Sequence, residues 1–255
     1  TLKKPREGGS FTFDARMHER GDKKVLGHRI KENGEKEGLE ILHILARHPS
    51  TAKFISTKLA VRFVSDDPPA ALVQRMSETF LKKNGDIREV LKTMLASPEF
   101  WSSESYRAKV KTPLEFVVSS VRGCGAEVTD AAPLARQLQN LGMPLYGMQP
   151  PTGYSSKADA WVNSAALLGR MNFALAFSAG KVKGIQIEAE NGPADSQDAL
   201  AMLQNKLSLG NISQQTHDTI LTQLQNVNRQ KASDNGHEAQ VIEGLLLGSP
   251  EFQRR

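Results

Sequence analysis

The sequence predicts a mainly α fold, an irregular multi-helix globular domain with one small β-hairpin at the N-terminus. Three observations predict it. From Glu35 onward apolar residues recur three and four positions apart, the period of a helix with one buried face. Helix starts and stops punctuate those segments, among them Thr112-Pro113-Leu114-Glu115, Asn84-Gly85-Asp86 and His48-Pro49. Only one stretch, Phe11 to His18, alternates with period two.

Taken in order, the first element is that alternating stretch. Phe11, Phe13, Ala15 and Met17 fall on one side, and Thr12, Asp14, Arg16 and His18 on the other, the pattern of a half-buried strand. Glu19-Arg20-Gly21-Asp22 reads as a turn, and Lys24-Val25-Leu26 as the returning strand. A first helix from Glu35 carries Leu39, Ile41, Leu42, Ile44 and Leu45 and stops at His48-Pro49. A second starts at Ser50. Asp67 is expected to cap a third, with Pro68 in its first helical position. Asn84-Gly85-Asp86 stops that helix and starts a fourth through Leu95.

Thr112 and Glu115 form a capping box with proline between them, which opens the next helix. Asp130 caps another that ends at Gly142. Residues 142–157, rich in Gly, Pro and Ser, form a loop. A long helix is then expected over about 158–179, a linker over 180–194 with a short extended piece near Ile185, and helices near 196–208, 213–227 and 236–248. The expected division is a basic entry segment with the hairpin (1–34), a main helical domain (35–180) and a C-terminal helical segment packed on it (181–255). Leu95-Ala96-Ser97-Pro98-Glu99-Phe100 echoes Leu247-Gly248-Ser249-Pro250-Glu251-Phe252, read as a shared way of stopping a helix.

Composition bounds the function. Hydrophobic residues at 39% and charged residues at 24% can build a core, which excludes gross disorder. No apolar run is long enough to span a membrane as a helix. The net charge is +5, and residues 1–31 supply all of it, with nine Lys or Arg against four Asp or Glu. The rest is balanced, so a nucleic-acid-binding body is not expected. The single cysteine, Cys124, excludes an intramolecular disulfide and a thiolate-rich zinc site. No cofactor or metal is expected. There is no phosphate-binding loop, nucleophile elbow, His-Glu-x-x-His helix or dinucleotide fingerprint.

Three linked stretches carry a resemblance. They are FTFDARMHERGDKKVLG; then HPSTAKFISTKLAVRFVSDDPP with GDIREVLKTMLASPEFW and KTPLEFVVSSVR; then LGMPLYGMQPPTGY with WVNSAALLGRMNFAL and the closing LLLGSPEFQRR. Together they resemble the C-terminal part of the bacterial domain-of-unknown-function family 1800. The resemblance implies a helical protein whose relatives are longer at the N-terminus. Many of them are exported and are encoded beside a second exported family of unknown function, number 1501, a candidate partner. It supplies no catalytic residue. Relatives often carry His-Asp where this chain has His18-Glu19.

The strongest site candidate is the loop from Gly147 to Tyr154 with the helix after it: Tyr154, Trp161, Asn163 and Arg170. An Arg and an Asn on an otherwise apolar helix need partners, because an unpaired buried charge is costly. They either fix the Pro-rich loop through its carbonyls or line a pocket with Tyr154 and Trp161. Asp14 and His18 are a secondary candidate. On a straight strand they would stand roughly 13 Å apart. His43 and His48 are read as structural. Cys124, at a helix C-terminus, meets the negative end of the dipole and makes a poor nucleophile. The absence of catalytic signatures, with the exported setting that the resemblance implies, makes the expected function a binding or assembly protein of the bacterial envelope, exported to the periplasm or cell surface. The alternative is a hydrolase acting on an envelope or extracellular polymer near residues 147–170.

Overall fold

The computed structural model describes residues 2–3, 9–188, 193, 195–207, 209–228 and 235–255. The fold is mainly α. Helices make up 53% of the described residues, and no strand among them exceeds three residues. Contacts divide the chain into two compact units, Thr1–Ala60 with Pro68–Phe100, and Val61–Asp67 with Trp101–Arg255.

In the first unit, β1 (Leu2–Lys3) pairs antiparallel with β2 (Ser10–Phe11), and β3 (Lys23–Val25) with β4 (His28–Ile30). The hairpin near the N-terminus is therefore β3–β4, turning at Leu26 and Gly27, both with positive φ. That is the signature of the tight turns that match strand twist. The strand expected over Phe11 to His18 does not form. The Asp14 carboxylate accepts the Arg16 N–H (2.9 Å), and Met17 N–H donates to the Asp14 carbonyl (3.1 Å). This side-chain-stabilised turn bends the chain away from extended geometry. Phe11 and Met17, expected to face a core, are 67% and 75% exposed.

The helices of this unit are α1 (Glu35–Ala46), α2 (Pro49–Phe63, whose last turn belongs to the second unit), α3 (Ala70–Lys82) and α4 (Ile87–Leu95). Leu72, Val73, Met76 and Phe80 of α3 form one buried stripe, and Val90 and Met94 of α4 another. Between them, Asn84 and Gly85 take positive φ, Gly85 N–H closes on the Phe80 carbonyl (2.8 Å), and Asp86 caps α4. His48 accepts the Ser50 N–H (3.1 Å) and so opens α2 rather than merely closing α1. The expected cap of α3 is different. Its N-cap is Pro69, without a side-chain bond, because Pro69 keeps Pro68 out of helical geometry and the helix starts past both prolines; the exposed Asp67 carboxylate meets Lys157 (3.0 Å). The apolar stripe of α1 is exposed at Leu39, Leu42 and Leu45, and the buried side chain of that helix is Glu37.

The second unit contains α5 (Pro113–Gly123), α6 (Ala132–Asn140), α7 (Ser164–Ser178), α8 (Ser196–Lys206), α9 (Gln214–Asn228) and α10 (Asn235–Gly248). A two-residue pair, β5 (Glu127–Val128) with β6 (Ile185–Gln186), joins them. The extended piece near Ile185 forms as expected, and it pairs with Glu127–Val128, a strand the sequence pattern does not predict. The capping box at Thr112 forms with both bonds (Glu115 N–H to Thr112 Oγ1 3.4 Å, Thr112 N–H to Glu115 Oε2 2.8 Å). The helix expected from about 158 starts later. A single 3-10 turn covers Ala158–Ala160, and α7 begins at Ser164 because Asn163 caps it, accepting the Ala166 N–H (2.9 Å).

The core of this unit gathers Phe116 and Val117 of α5, Phe173, Ala174 and Phe177 of α7, Leu200 and Leu203 of α8, and Ile242, Leu246 and Leu247 of α10. α10 packs on α7, α8 and α9. From Val241 on it is apolar but for Glu243, which pairs with Lys206, as expected of a helix packed against several others. Its approach to α7 is close at two glycines. A Cβ at Gly244 would stand 2.6 Å from Ser178 Oγ and 3.2 Å from the Leu175 Cα; one at Gly248 would meet the Met171 sulfur at 2.5 Å.

Helix propensity alone favours Ala over Gly by about 1 kcal/mol, and overpacking costs about 1–3 kcal/mol. Gly244→Ala presses on backbone and is expected to lower stability to chemical denaturation. Gly248→Ala presses on a flexible thioether that can move aside, so its midpoint should stay close to that of the parent. Equal midpoints for the two variants would contradict the close crossing at Gly244.

Candidate functional site

The loop before α7 is anchored from within. Gly147 N–H closes a four-residue turn on the Pro144 carbonyl (3.1 Å), and the Tyr154 hydroxyl donates to that same carbonyl (2.7 Å). Trp161 is buried, donates its indole N–H to the Ser155 carbonyl (2.9 Å) and lies 5.9 Å from the Tyr154 ring, centre to centre. Further along, the Lys109 ammonium reaches the Ser156 carbonyl (2.6 Å) and pairs with Asp66. The other oxygen of Asp66 accepts the Ala158 N–H (2.7 Å). Burial pushes the Asp66 carboxyl up, but Lys109 and the Ala158 amide outweigh that and hold it below the usual range. What the anchors leave outside is apolar. Leu145, Met148, Val162 and Leu168 are exposed, and Tyr146 is fully exposed at φ 56°. That turn position usually takes glycine.

Of the four residues the sequence singles out here, Tyr154 and Trp161 come together, Asn163 caps α7 at the surface, and Arg170 lies elsewhere. Arg170 is 1% exposed. It does not hold the Pro-rich loop. Its guanidinium donates to the Lys111 carbonyl (2.9 Å) and the Gln253 side chain (3.3 Å), and sits 5.4 Å from the centre of the Phe116 ring. Burial pushes its pKa down, against the opposing pull of Glu115. The segment it holds is itself paired. Lys111 N–H donates to the Gln253 carbonyl (2.8 Å), and Arg255 N–H to the Lys109 carbonyl (2.9 Å).

The secondary candidates separate. Asp14 pairs with Arg16 (3.3 Å), and His18 turns to Glu37 (3.5 Å) and to the Phe13 ring (5.3 Å). The bend at Asp14 moves them to different partners. Glu37 is nearly fully buried, accepts the Asn33 and Gly34 amides (2.7 and 2.9 Å) and pairs with Lys23 (2.7 Å). Lys23 and the Asn33 amide hold its carboxyl below the usual range. His43 bonds the Leu39 carbonyl (2.8 Å) within its own helix. Cys124 is buried at the end of α5. Among the described residues, no three or more His, Cys, Asp or Glu side chains are grouped as metal ligands would be.

One arrangement that sequence reasoning missed lies along α5. A pocket of about 570 Å³ is lined by Lys111, Glu115, Val118, Arg122, Lys206, Leu207, Phe252 and Arg255 among others. Glu115 caps α5 and also takes Arg62 (2.6 Å) and Arg255 (3.2 Å). Burial pushes its carboxyl up, yet the Thr112 amide and the two guanidiniums hold it low. Lys111 is over half buried in this setting, with its ammonium 3.8 Å from the Phe252 ring centre. Burial, then Arg107, bring its pKa down to about 8. The sequence did offer a signal, because Glu115, Val118, Ser119 and Arg122 recur at helical spacing on one face. The opposing wall comes from 206–207 and 252–255, far away in sequence.

Fold and site thus define a helical protein with an anchored, outward-facing loop and a basic pocket. The chain belongs to the family described as Protein of unknown function (DUF1800), whose model matches residues 1–254. No curated protein and no solved structure matches it.

Arg170→Ala removes a charge-assisted bond and strands the Lys111 carbonyl and the Gln253 amide. The expected loss is on the order of 1–3 kcal/mol in urea denaturation. Arg170→Lys should recover only part of it, since an ammonium cannot reproduce the planar fork. An unchanged midpoint for Arg170→Ala would remove the guanidinium from this role.

Proposed function

We propose that this chain is an exported binding or assembly protein of the bacterial envelope, which meets its partner through the loop ahead of α7. One observation carries the reading. Tyr146 is fully exposed in a left-handed backbone conformation, on a turn anchored by Tyr154 and the Pro144 carbonyl. Non-glycine residues in that conformation persist only where their surroundings hold them, and such positions concentrate at recognition sites. Leu145 and Met148 add exposed apolar surface on the same segment, a composition that supports a protein partner. The partner class is the exported family 1501 that the resemblance brings in. No helix among the described residues is long and apolar enough to cross a membrane.

The test is a pull-down of the intact protein from its native envelope fraction, run beside Tyr146→Ser. Truncating a central aromatic anchor costs about 2 kcal/mol or more of binding, roughly thirtyfold in affinity. The expected outcome is a specific protein retained by the parent and lost with Tyr146→Ser, the two chains melting alike. A retained set that is identical for both would overturn the loop as the contact. Turnover of an envelope polymer by the purified chain would favour the hydrolase instead.

A further inference from the structure

The pocket along α5 carries an inference independent of the loop. Its lining holds four cations, Lys111, Arg122, Lys206 and Arg255, against one carboxylate, Glu115. Two of the four are already engaged. Arg255 pairs with Glu115, and Lys206 lies 3.4 Å from Glu243, a buried acid of α10. The other two are open. Among the described residues, neither the Lys111 ammonium nor the Arg122 guanidinium has a carboxylate or carbonyl partner, and Lys111 rests on the face of Phe252 alone. An ammonium more than half buried without an oxygen partner is costly, because burial removes its water and returns nothing equivalent. An anion placed between Lys111 and Arg122 would supply the missing acceptor.

The shape of the pocket narrows the anion. Val118, Leu207 and Phe252 give it an apolar wall beside the cations, and its volume of about 570 Å³ falls in the range of small-molecule sites. A bare inorganic ion would leave that wall wet. A guanidinium fork beside a point-charge ammonium suits a tetrahedral oxyanion. We propose that this pocket binds a phosphomonoester, its phosphate between Lys111 and Arg122 and its carbon skeleton against Val118, Leu207 and Phe252. The charges facing Lys111 are Arg107, Glu115 and Arg255, joined across the pocket by Arg122 and Lys206. With its pKa lowered to about 8, Lys111 is charged below that pH and neutral above it. Affinity is therefore full at pH 7 and falls as pH rises through about 8. A phosphomonoester loses its second proton near pH 6, so the ligand does not titrate in this window.

The experiment is titration calorimetry on the intact chain at fixed ionic strength, with inorganic phosphate and phenyl phosphate as probes. Saturable binding of both is expected, with phenyl phosphate the tighter. Lys111→Met and Arg122→Gln should each weaken phenyl phosphate by about tenfold or more. Neither residue holds an ion pair among the described residues, so neither variant should melt below the parent. In Lys111→Arg, whose guanidinium stays charged, binding should survive to pH 9 and lose the fall near pH 8. A free phosphomonoester and a lipid headgroup share this chemistry. Vesicles of phosphatidylcholine with phosphatidic acid separate them: retention of the chain, lost in Lys111→Met, assigns the lipid, and no retention assigns a soluble ligand. No saturable heat with either probe would overturn the proposal. So would equal affinity in the Lys111→Met, Arg122→Gln double variant, or an unchanged pH profile in Lys111→Arg.

Discussion

The second unit is organised around one buried guanidinium. Arg170 sits in the middle of α7 with almost no water contact, so its charge must be satisfied from within. It is satisfied by a backbone carbonyl from the approach to α5, an amide side chain from the end of the chain and the face of an aromatic ring. Those acceptors come from segments about 60 and 80 residues away in sequence. With them fixed, Lys111 and Gln253 lie side by side, and the short backbone pairing of 109–111 with 253–255 follows. Two of the pocket's walls, at 111–122 and 252–255, then belong to the segments that Arg170 joins. Glu115 stands between the two levels, because it caps α5 and also takes up Arg62 and Arg255.

Most of the helices are legible in the sequence because their ends are local chemistry. Thr112 with Glu115, Asp86, and the Gly85 stop each act within four or five residues, and each appears where its sequence says. The failures are all cases where a distant partner or a competing local constraint wins. Asp67 stands too far ahead of the helix, which starts past Pro68-Pro69, and its carboxylate meets an ammonium from residue 157. The period-two stretch at 11–18 has the pattern of a strand, but Asp14 folds it into a turn, and no core lies opposite Phe11 or Met17. Arg170 reads correctly as a residue that must find partners. Its neighbours in sequence simply are not the ones it finds. The pocket is half legible for the same reason, since one wall is a helix face and the other is assembled by the fold.

The Ser-Pro-Glu-Phe echo shows how the same local solution serves two units. After α4, Phe100 N–H reaches the Ser97 hydroxyl (3.4 Å); after α10, Phe252 N–H reaches the Ser249 hydroxyl (3.2 Å). Both serines are buried, and each proline follows where a helix cannot continue. The two acids then do unlike things. Glu99 pairs with Arg75 of α3, whereas Glu251 accepts the Ser213 N–H and the Thr216 hydroxyl at the start of α9. The shared motif ends a helix, and its environment decides what the carboxylate is for.

Arg170 donates to the carbonyl of Lys111, yet the two side chains differ in kind. A guanidinium stays protonated throughout the range in which a bacterium lives. An ammonium whose pKa has come down to about 8 does not. The frame is therefore tied by a charge that the surroundings cannot switch, while the charge that they can switch, on the Lys111 side chain, lines the pocket. A change in the medium can alter what the surface offers without loosening the joint beneath it.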